Sequence, residues 1–597
     1  MCGIVGYIGE RDALPLLLNS LERVTYRGYD SFGVALLNGH GIELYKALGS
    51  VDQQQGYFEL RGSIGIGHTR WATVGAVSER NAHPHTDCTG EIAIVHNGDI
   101  DNYQTLKCRL EGLGHVFRSE TDSEVVAHLI EAYGPDDIVR ATRRATGELE
   151  GTFALGILHR SSRQLVVTKK GSPLVIGLGE GENYVASDVP ALLPYTNRVV
   201  YLEDGDIASI SAEGLKVWHG EIEVRRRVHQ IEWSANQLHK NGYAQYMLKE
   251  IHEQPQAIRD TLASYDGHAT DVAQLDSELS ARDWQEILLL GCGTSYHAAM
   301  VGEYVLSHLP SIQARAVVAS EFDAVTSNGA ADNAKLAIAL SQSGETADTI
   351  SALRLAQDAN YTPIAVSNVF GSSISRIAAA TLYTRAGPEV AVASTKSFTT
   401  QLVALYSLAA RLDNDSEMAQ VIAAGLRSLP SKIEEVLAGS EHIQRVATSL
   451  APRDQMFIVG KGVNTPVAME GALKFKEVAY LHAEGYAAGE LKHGPFALLE
   501  EGTPVIAIVP SDAKRLRVLT TVREVKSRGA KVIAIAPSGD DEVQSFADEV
   551  LYVPEVDPIL APVLNTVVFQ LLSYYCALDR GYPIDRPRNL AKSVTVH

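Results

Sequence analysis

One order of elements occurs twice in this chain and restricts its fold more than any other feature. Ile287-Leu-Leu-Leu290 runs into the turn Gly291-Cys-Gly-Thr-Ser295 and a helix. Leu336-Ala-Ile-Ala-Leu340 runs into Ser341-Gln-Ser-Gly-Glu-Thr346 and another helix, and Pro363-Ile-Ala-Val-Ser367 follows. Apolar runs that each feed a helix through a Gly- or Ser-rich turn are parallel βα units. The order recurs with Met456-Phe-Ile-Val459 entering Gly460-Lys-Gly462, then Val505-Ile-Ala-Ile-Val509, then Val532-Ile-Ala-Ile-Ala536. Two α/β doubly wound copies in tandem are therefore predicted. They differ at one turn: the second copy has Pro510-Ser511-Asp512 where the first has the Ser-rich turn, so only the first is expected to bind a phosphate.

Short strands dominate the chain ahead of these copies. Ile64-Gly-Ile-Gly-His68, Ile92-Ala-Ile-Val-His96, Phe153-Ala-Leu-Gly-Ile157 and Leu165-Val-Val-Thr168 are strand-like, while Asp122 to Tyr133 has helical spacing, which predicts an α+β sandwich. The expected division is a first domain over 1–224, a polar linker over 225–243, the two copies over 244–440 and 441–585, and a tail over 586–597. Arg225-Arg226-Arg227 in the linker reads as a solvated face. At 597 residues the chain is long enough for several domains, each with its own core.

The net charge of −20 argues against nucleic acid or an anionic membrane as partner, so any anionic ligand must be held locally. No apolar run reaches the roughly 18 residues of a membrane span, and no secretory segment precedes Cys2. The five cysteines, Cys2, Cys88, Cys108, Cys292 and Cys576, are scattered without a Cys-x-x-Cys spacing, so neither a disulfide framework nor a zinc site is suggested. A cytoplasmic location is expected.

Three stretches carry chemistry. Removal of Met1 would leave Cys2 with both a thiol and a free α-amine, whose ordinary pKa of about 7.7–8.0 lets it take the thiol proton near neutrality. Ile4, Val5, Tyr7 and Ile8 interleaved with glycines predict a buried strand behind that cysteine. In the Ser-rich turn, Ser341, Ser343 and Thr346 set hydroxyls and backbone N–H groups at a helix amino end, where an anion is favoured; Thr294 and Ser295 sit at the equivalent place one unit earlier. Plain N-capping would use the same residue types. No Gly-x-x-x-x-Gly-Lys-Ser/Thr occurs, so a sugar phosphate suits better than a nucleoside triphosphate. In the second copy, Glu470, Lys474 and Glu477 share one helix face, an arrangement also common in surface salt bridges. His493 follows in a Gly-bounded turn. The tail ends with apolar residues that predict docking, with Lys592 buried and its pKa lowered.

Cys2-Gly-Ile-Val-Gly6, Tyr26-Arg-Gly-Tyr-Asp30, Gly67-His-Thr-Arg-Trp-Ala-Thr73, Asn81-Ala-His-Pro-His85, His96-Asn-Gly98, Ser341 to Thr346, Ala393-Ser-Thr-Lys396 and Asp585 to Lys592 together resemble the isomerizing glutamine:fructose-6-phosphate aminotransferases, the glucosamine-6-phosphate synthases. The likeness covers essentially the whole chain. It implies an N-terminal-nucleophile glutaminase domain (αββα) followed by two sugar isomerase (SIS) domains, L-glutamine and fructose 6-phosphate as substrates, a homodimer with a shared isomerase site, and no metal or organic cofactor. By the same resemblance Cys2 attacks the glutamine amide, Asn97 and the Gly98 N–H hold the oxyanion, Arg70 grips the α-carboxylate and Asp122 the α-ammonium. Trp71, Thr73 and His83 line that pocket, and Trp71 gates a dry passage for ammonia. The family commonly has histidine after Thr73, where this chain has Val74. Cys292, Gly293, Thr294, Ser295, Ser341, Gln342, Ser343 and Thr346 would hold the phosphate, with Val392 and Ser394 along the sugar. His493, from the neighbouring subunit, would help open the ring, Lys592 would form an imine at C2, and Glu477, assisted by Lys474, would move a proton between C1 and C2. A phosphoribosylamine-forming amidotransferase would share the Cys2 domain but needs a diphosphate loop that the sequence lacks. A non-catalytic sugar-phosphate sensor would have no use for Cys2 or Lys592.

Overall fold

A computed structural model describes residues 2–53, 60–231, 233, 235–265, 270–309, 312–323, 334–413 and 416–595. Met1, on which the free-amine reading of Cys2 depends, lies outside them. The chain divides into two compact units, one of Met1–His239 with Ser593–His597 and the other of Lys240–Lys592.

The first unit is the layered α+β sandwich. The strand Gly3–Ile8, buried throughout, runs antiparallel between Asn183–Ala186 and Ile64–Arg70 inside an eight-stranded sheet. Cys2 therefore sits at the head of a central strand. A seven-stranded sheet includes Ile92–Ile100 paired with Gly151–His159. Alternation along Ile92–Ile100 builds two cores: Ala93 and Val95 pack with Ile4 and Ile66 between the sheets, while Ile92 and Ile94 pack on the other face with Val125, Val126 and Leu129 of the helix Glu124–Ala132. At Gly98 φ is +125°, and a Cβ there would lie 2.2 Å from the Thr152 carbonyl oxygen, so only glycine fits.

Part of the expected linker belongs to this unit. Val228–Gln230 pairs with Arg198–Tyr201 at the sheet edge. Of the three arginines read as a solvated face, Arg226 forks onto the buried Asp206 with N···O distances of 2.8 and 2.7 Å. A bidentate pair to a buried carboxylate outweighs exposure to water at that position.

The second unit holds the two tandem copies. Each contributes a five-stranded parallel sheet in which the second strand flanks the first and the third, fourth and fifth follow on the other side. In each sheet the switch point, where ligands of doubly wound folds bind, lies between the first and third strands. One continuous core contains Ile287 and Leu289 of one sheet, Met456 and Ile458 of the other, and Val567 and Leu571 of the helix Ala561–Asp579. That helix is long and apolar enough to span a bilayer by length and composition, but 83% of its most apolar window is buried in the protein.

Candidate active sites

In the first unit the side chains converge on Cys2. Its Sγ accepts from the Trp71 N–H at 3.3 Å, and its carbonyl accepts from Asn97 Nδ2 at 2.9 Å and Arg27 Nε at 3.1 Å. Burial pushes the thiol's pKa up, against the Trp71 N–H and the charges of Arg70 and Arg27. Arg70 ends the strand Ile64–Arg70, and its guanidinium donates to the carbonyls of Val74 (2.6 Å), Gly75 (3.1 Å) and Ala76 (3.1 Å). At Val74 the backbone carbonyl therefore makes this contact. Asp122 is buried and accepts from the Ile100 N–H at 2.9 Å. Thr73 is exposed and donates to Asp99 at 3.1 Å; Trp71 is half-buried, edge-on to Tyr29.

His83 lies differently from the rest of the expected pocket. It is buried with no hydrogen-bond partner on either ring nitrogen among the described residues, its ring tilted against His68 at 4.1 Å and edge-on to His85 at 4.4 Å between ring centres. It therefore backs the site through His68. His68 was not among the expected site residues, although Gly67-His-Thr-Arg was part of the family signature. Its Nε2 faces two acceptors, the His96 carbonyl at 2.8 Å and Asn97 Oδ1 at 3.1 Å, so Nε2 carries the proton. That bond turns Asn97 Nδ2 toward Cys2. Burial lowers His68 to about 3, which keeps the ring neutral.

In the second unit the Ser-rich turn follows the third strand of the first sheet, Lys335–Ser341, next to the first strand Glu286–Gly291. Ser341 Oγ contacts Thr346 Oγ1 at 3.1 Å and accepts from the Gly344 N–H at 3.0 Å, and Ser343 Oγ accepts from the Glu345 N–H at 3.1 Å. The Gln342 carbonyl accepts from the Asn368 N–H. Gly344 has φ +67° and a Cβ there would meet Ser372 at 2.1 Å, so the backbone turns tightly enough to bring these N–H groups together at the amino end of helix Ala347–Asp358. In the second copy the matching place is filled from within: Asp512 takes both the Lys514 N–H (2.8 Å) and its Nζ (2.7 Å).

Of the other phosphate candidates, Cys292 is half-buried, Gly293 begins the helix Thr294–Leu306 with φ +53°, and Ser295 accepts from Gln401 at 3.1 Å. Thr294 reaches the second copy. Its hydroxyl donates to Glu470 at 3.0 Å and accepts from Lys474 at 3.2 Å. Lys474 is buried between Glu470 (3.3 Å) and Glu477 (2.6 Å), and His297 Nδ1 lies 2.7 Å from Glu470. Burial alone would lower the lysine; the two carboxylates reverse that and hold its pKa above the usual value. What on sequence alone resembled a surface salt bridge is thus a buried array. Glu477 also lines a cleft of about 350 Å³ with Tyr480, Arg588 and Leu590.

Val392 is buried, with its N–H on the Asp585 carbonyl at 3.1 Å, and Ser394 is half-buried in the same loop. His493 ends a short 3₁₀ turn and is exposed. The Lys592 side chain is 4% exposed, and a carboxylate shares its environment: Nζ pairs with Glu389, whose side chain is fully buried. Burial raises Glu389, and Lys592 with the N–H groups of Thr395 and Ser397 brings it down to about 2. Nearby Glu250 is pushed up to about 8 by burial and by the Glu389 charge.

A cysteine-headed central strand and a hydroxyl-lined turn at a switch point define the class. The glutamine amidotransferase domain model matches residues 48–247 and the SIS domain model residues 281–411 and 449–580. Over the full length of both chains the sequence is 45% identical to the glutamine–fructose-6-phosphate aminotransferase (isomerizing) of Symbiobacterium thermophilum and 46% identical to that of Methanosarcina acetivorans. Among solved structures, the C-terminal domain of glucosamine-fructose-6-phosphate aminotransferase from Francisella tularensis is similar at a TM-score of 0.54 and 35% identity, covering 58% of this chain and 99% of that one. The chain belongs to the isomerizing glutamine–fructose-6-phosphate aminotransferase family.

Proposed function

We propose that the chain makes glucosamine 6-phosphate and glutamate from fructose 6-phosphate and glutamine, with the roles divided between the two clusters as follows. Cys2 attacks the side-chain amide of glutamine. Asn97 Nδ2 and the Gly98 N–H stabilise the oxyanion, a contribution typically of about 10²–10³ in rate per donor. Arg70 and Asp122 hold the α-carboxylate and α-ammonium, with Trp71 and Thr73 at the mouth. Ammonia leaves and water hydrolyses the thioester. Ammonia is a nucleophile only when unprotonated, so it passes to the isomerase site away from bulk water.

At the isomerase site Ser341, Gln342, Ser343 and Thr346 hold the phosphate, and Val392 and Ser394 flank the sugar. Lys592 attacks C2 of the open-chain ketose, water leaves, and the imine is formed; Glu389 balances the iminium charge. Ammonia then adds to C2 and expels the Lys592 amine, leaving the ketose imine, and Glu477 takes a proton from C1 and returns one to C2, which gives glucosamine 6-phosphate. The observation carrying this assignment is the clamping of Lys474 between Glu470 and Glu477. Lys474, held as an ammonium between two carboxylates, orients Glu477; Lys592 faces the single carboxylate of Glu389, which can accept its proton before Lys592 makes the bond. The reading includes a homodimer in which the exposed His493 serves the neighbouring subunit's sugar, and a cytoplasmic setting.

Borohydride added with fructose 6-phosphate should leave a hexitol-phosphate mass on the peptide containing Lys592, and Lys592→Arg should abolish glucosamine 6-phosphate formation while sparing glutamine hydrolysis. An adduct on Lys474, or wild-type product rates in Lys592→Arg, overturns the assignment.

A further inference from the structure

We propose that Cys88, His115, His128 and Glu131 form a zinc site in the first unit, apart from both candidate active sites. The four come from three places. Cys88 lies in the loop before the strand Ile92–Ile100, and His115 just beyond the helix Tyr103–Gly112. His128 and Glu131 stand one turn apart on the helix Glu124–Ala132, hence on one face. Their ligand atoms all lie within 4.8 Å of one another.

Four of the six ligand separations lie near those of a tetrahedron. With Zn–S of about 2.3 Å, Zn–N of about 2.0–2.1 Å and Zn–O of about 2.0–2.2 Å, neighbouring ligands stand about 3.6 Å apart for S···N and about 3.3 Å for N···O. Cys88 Sγ is 3.6 Å from His115 Nδ1 and 3.5 Å from His128 Nδ1. Glu131 Oε2 is 2.9 Å from His115 Nδ1 and 3.3 Å from His128 Nδ1. Thiolate and carboxylate supply two negative charges, which neutralise a divalent ion beside two neutral imidazoles.

The surroundings are those of a ligand set. His128 Nε2, the nitrogen turned away from the cluster, faces Glu124 Oε1 at 3.6 Å, an ion-pair separation without a hydrogen bond. Glu124 is itself fixed by the N–H groups of Arg118 (2.7 Å) and Ser119 (2.6 Å). The Val116 N–H donates to Cys88 Sγ at 3.3 Å, a bond suited to a thiolate. Without a cation, one oxygen, Glu131 Oε2, faces both imidazoles and the Cys88 N–H at 3.2 Å. Four protein ligands make a closed, structural site. Its ion would staple the connection between the two helices, the segment that also carries Asp122.

The test uses the full chain, stripped with EDTA and titrated with Co²⁺ and then Zn²⁺, independently of any turnover. One equivalent of Co²⁺ per chain is expected, with visible bands of a tetrahedral ion and a thiolate charge-transfer band in the near ultraviolet, all displaced by Zn²⁺. Cys88→Ser should remove the charge-transfer band, and Glu124→Gln, which takes away the charge facing His128 Nε2, should weaken binding. Folded wild-type protein that takes up no stoichiometric Co²⁺, or a charge-transfer band that persists in Cys88→Ser, overturns the proposal. If Cys88→Ser does not fold, the wild-type titration decides alone.

Discussion

Replacing His68 by phenylalanine keeps a buried ring but deletes the Nε2–H that faces Asn97 Oδ1 and the His96 carbonyl. Two buried acceptors then lose their donor, at a cost of about 1–3 kcal/mol for an unsatisfied buried group. If that loss falls on the orientation of Asn97, kcat for glutamine hydrolysis drops by about fivefold to about 150-fold. The upper end approaches the roughly 10²–10³ expected on removing the Asn97 donor itself. KM for glutamine should hold, because Arg70 and Asp122 are bonded elsewhere. His68→Gln, which can still donate, should recover part of the rate. The assay is glutamate release from glutamine, with retained fructose 6-phosphate binding by calorimetry as the control for folding. A folded His68→Phe variant with kcat within twofold of wild type, or with its defect confined to KM, refutes the positioning role.

The buried histidines carry a pH signature. His68, His83, His85 and His96 all lie below the ordinary histidine value, chiefly through burial, with His68 at about 3. The unfolded chain takes up these protons first. Stability is therefore full above about pH 6.5 and is lost as pH falls from there toward 3, at about 1.4 kcal/mol per pH unit for His68. Melting of the first unit should hold between pH 7.5 and about 6.5 and drop steeply below that, less so in His83→Phe; a profile flat from about pH 6.5 to 4 would contradict the burial argument. Separately, Lys474→Met leaves Glu470 buried without its cation, at about 3–5 kcal/mol, and Glu470→Gln in the same chain should restore part of it. Thermal unfolding and product mass read this out: glucosamine 6-phosphate should disappear with glutamine hydrolysis intact, and a fully active Lys474→Met would remove the array from the reaction.

Local and periodic features were legible in the sequence. The parallel copies announce themselves through apolar strand runs, and Cys2 through the strand behind it. The inequality of the copies is written in Pro510-Ser511-Asp512, and Asp512 closes its own turn. Partnerships across long separations were not legible. Glu389 meets Lys592 from 203 residues away, out of a loop with no periodic signal. Thr294 looks like a phosphate ligand by analogy of place, yet Glu470, 176 residues on, takes its hydroxyl. Val228–Gln230 has linker composition and becomes a strand because Arg198–Tyr201 offers an open edge. Cys88 and His128 lack a metal-site spacing because the helix face and two loops assemble the cluster.

The core that runs unbroken from Ile287 through Leu571 to Ile458 has a consequence for how the second unit tolerates change. A repeated module ordinarily keeps its own hydrophobic centre, and either copy can then drift, decay or be lost alone. Here each copy keeps such a centre on one face of its sheet, around Leu353 in the first and Val522 in the second, and shares the other face with its neighbour. A side chain altered in the shared face, at Leu289 or Ile458, presses on helices that support both sheets. On that shared face the duplicated halves are bound to change as one lineage of packing, one carrying the Ser-rich turn and the other the Glu470–Lys474–Glu477 array.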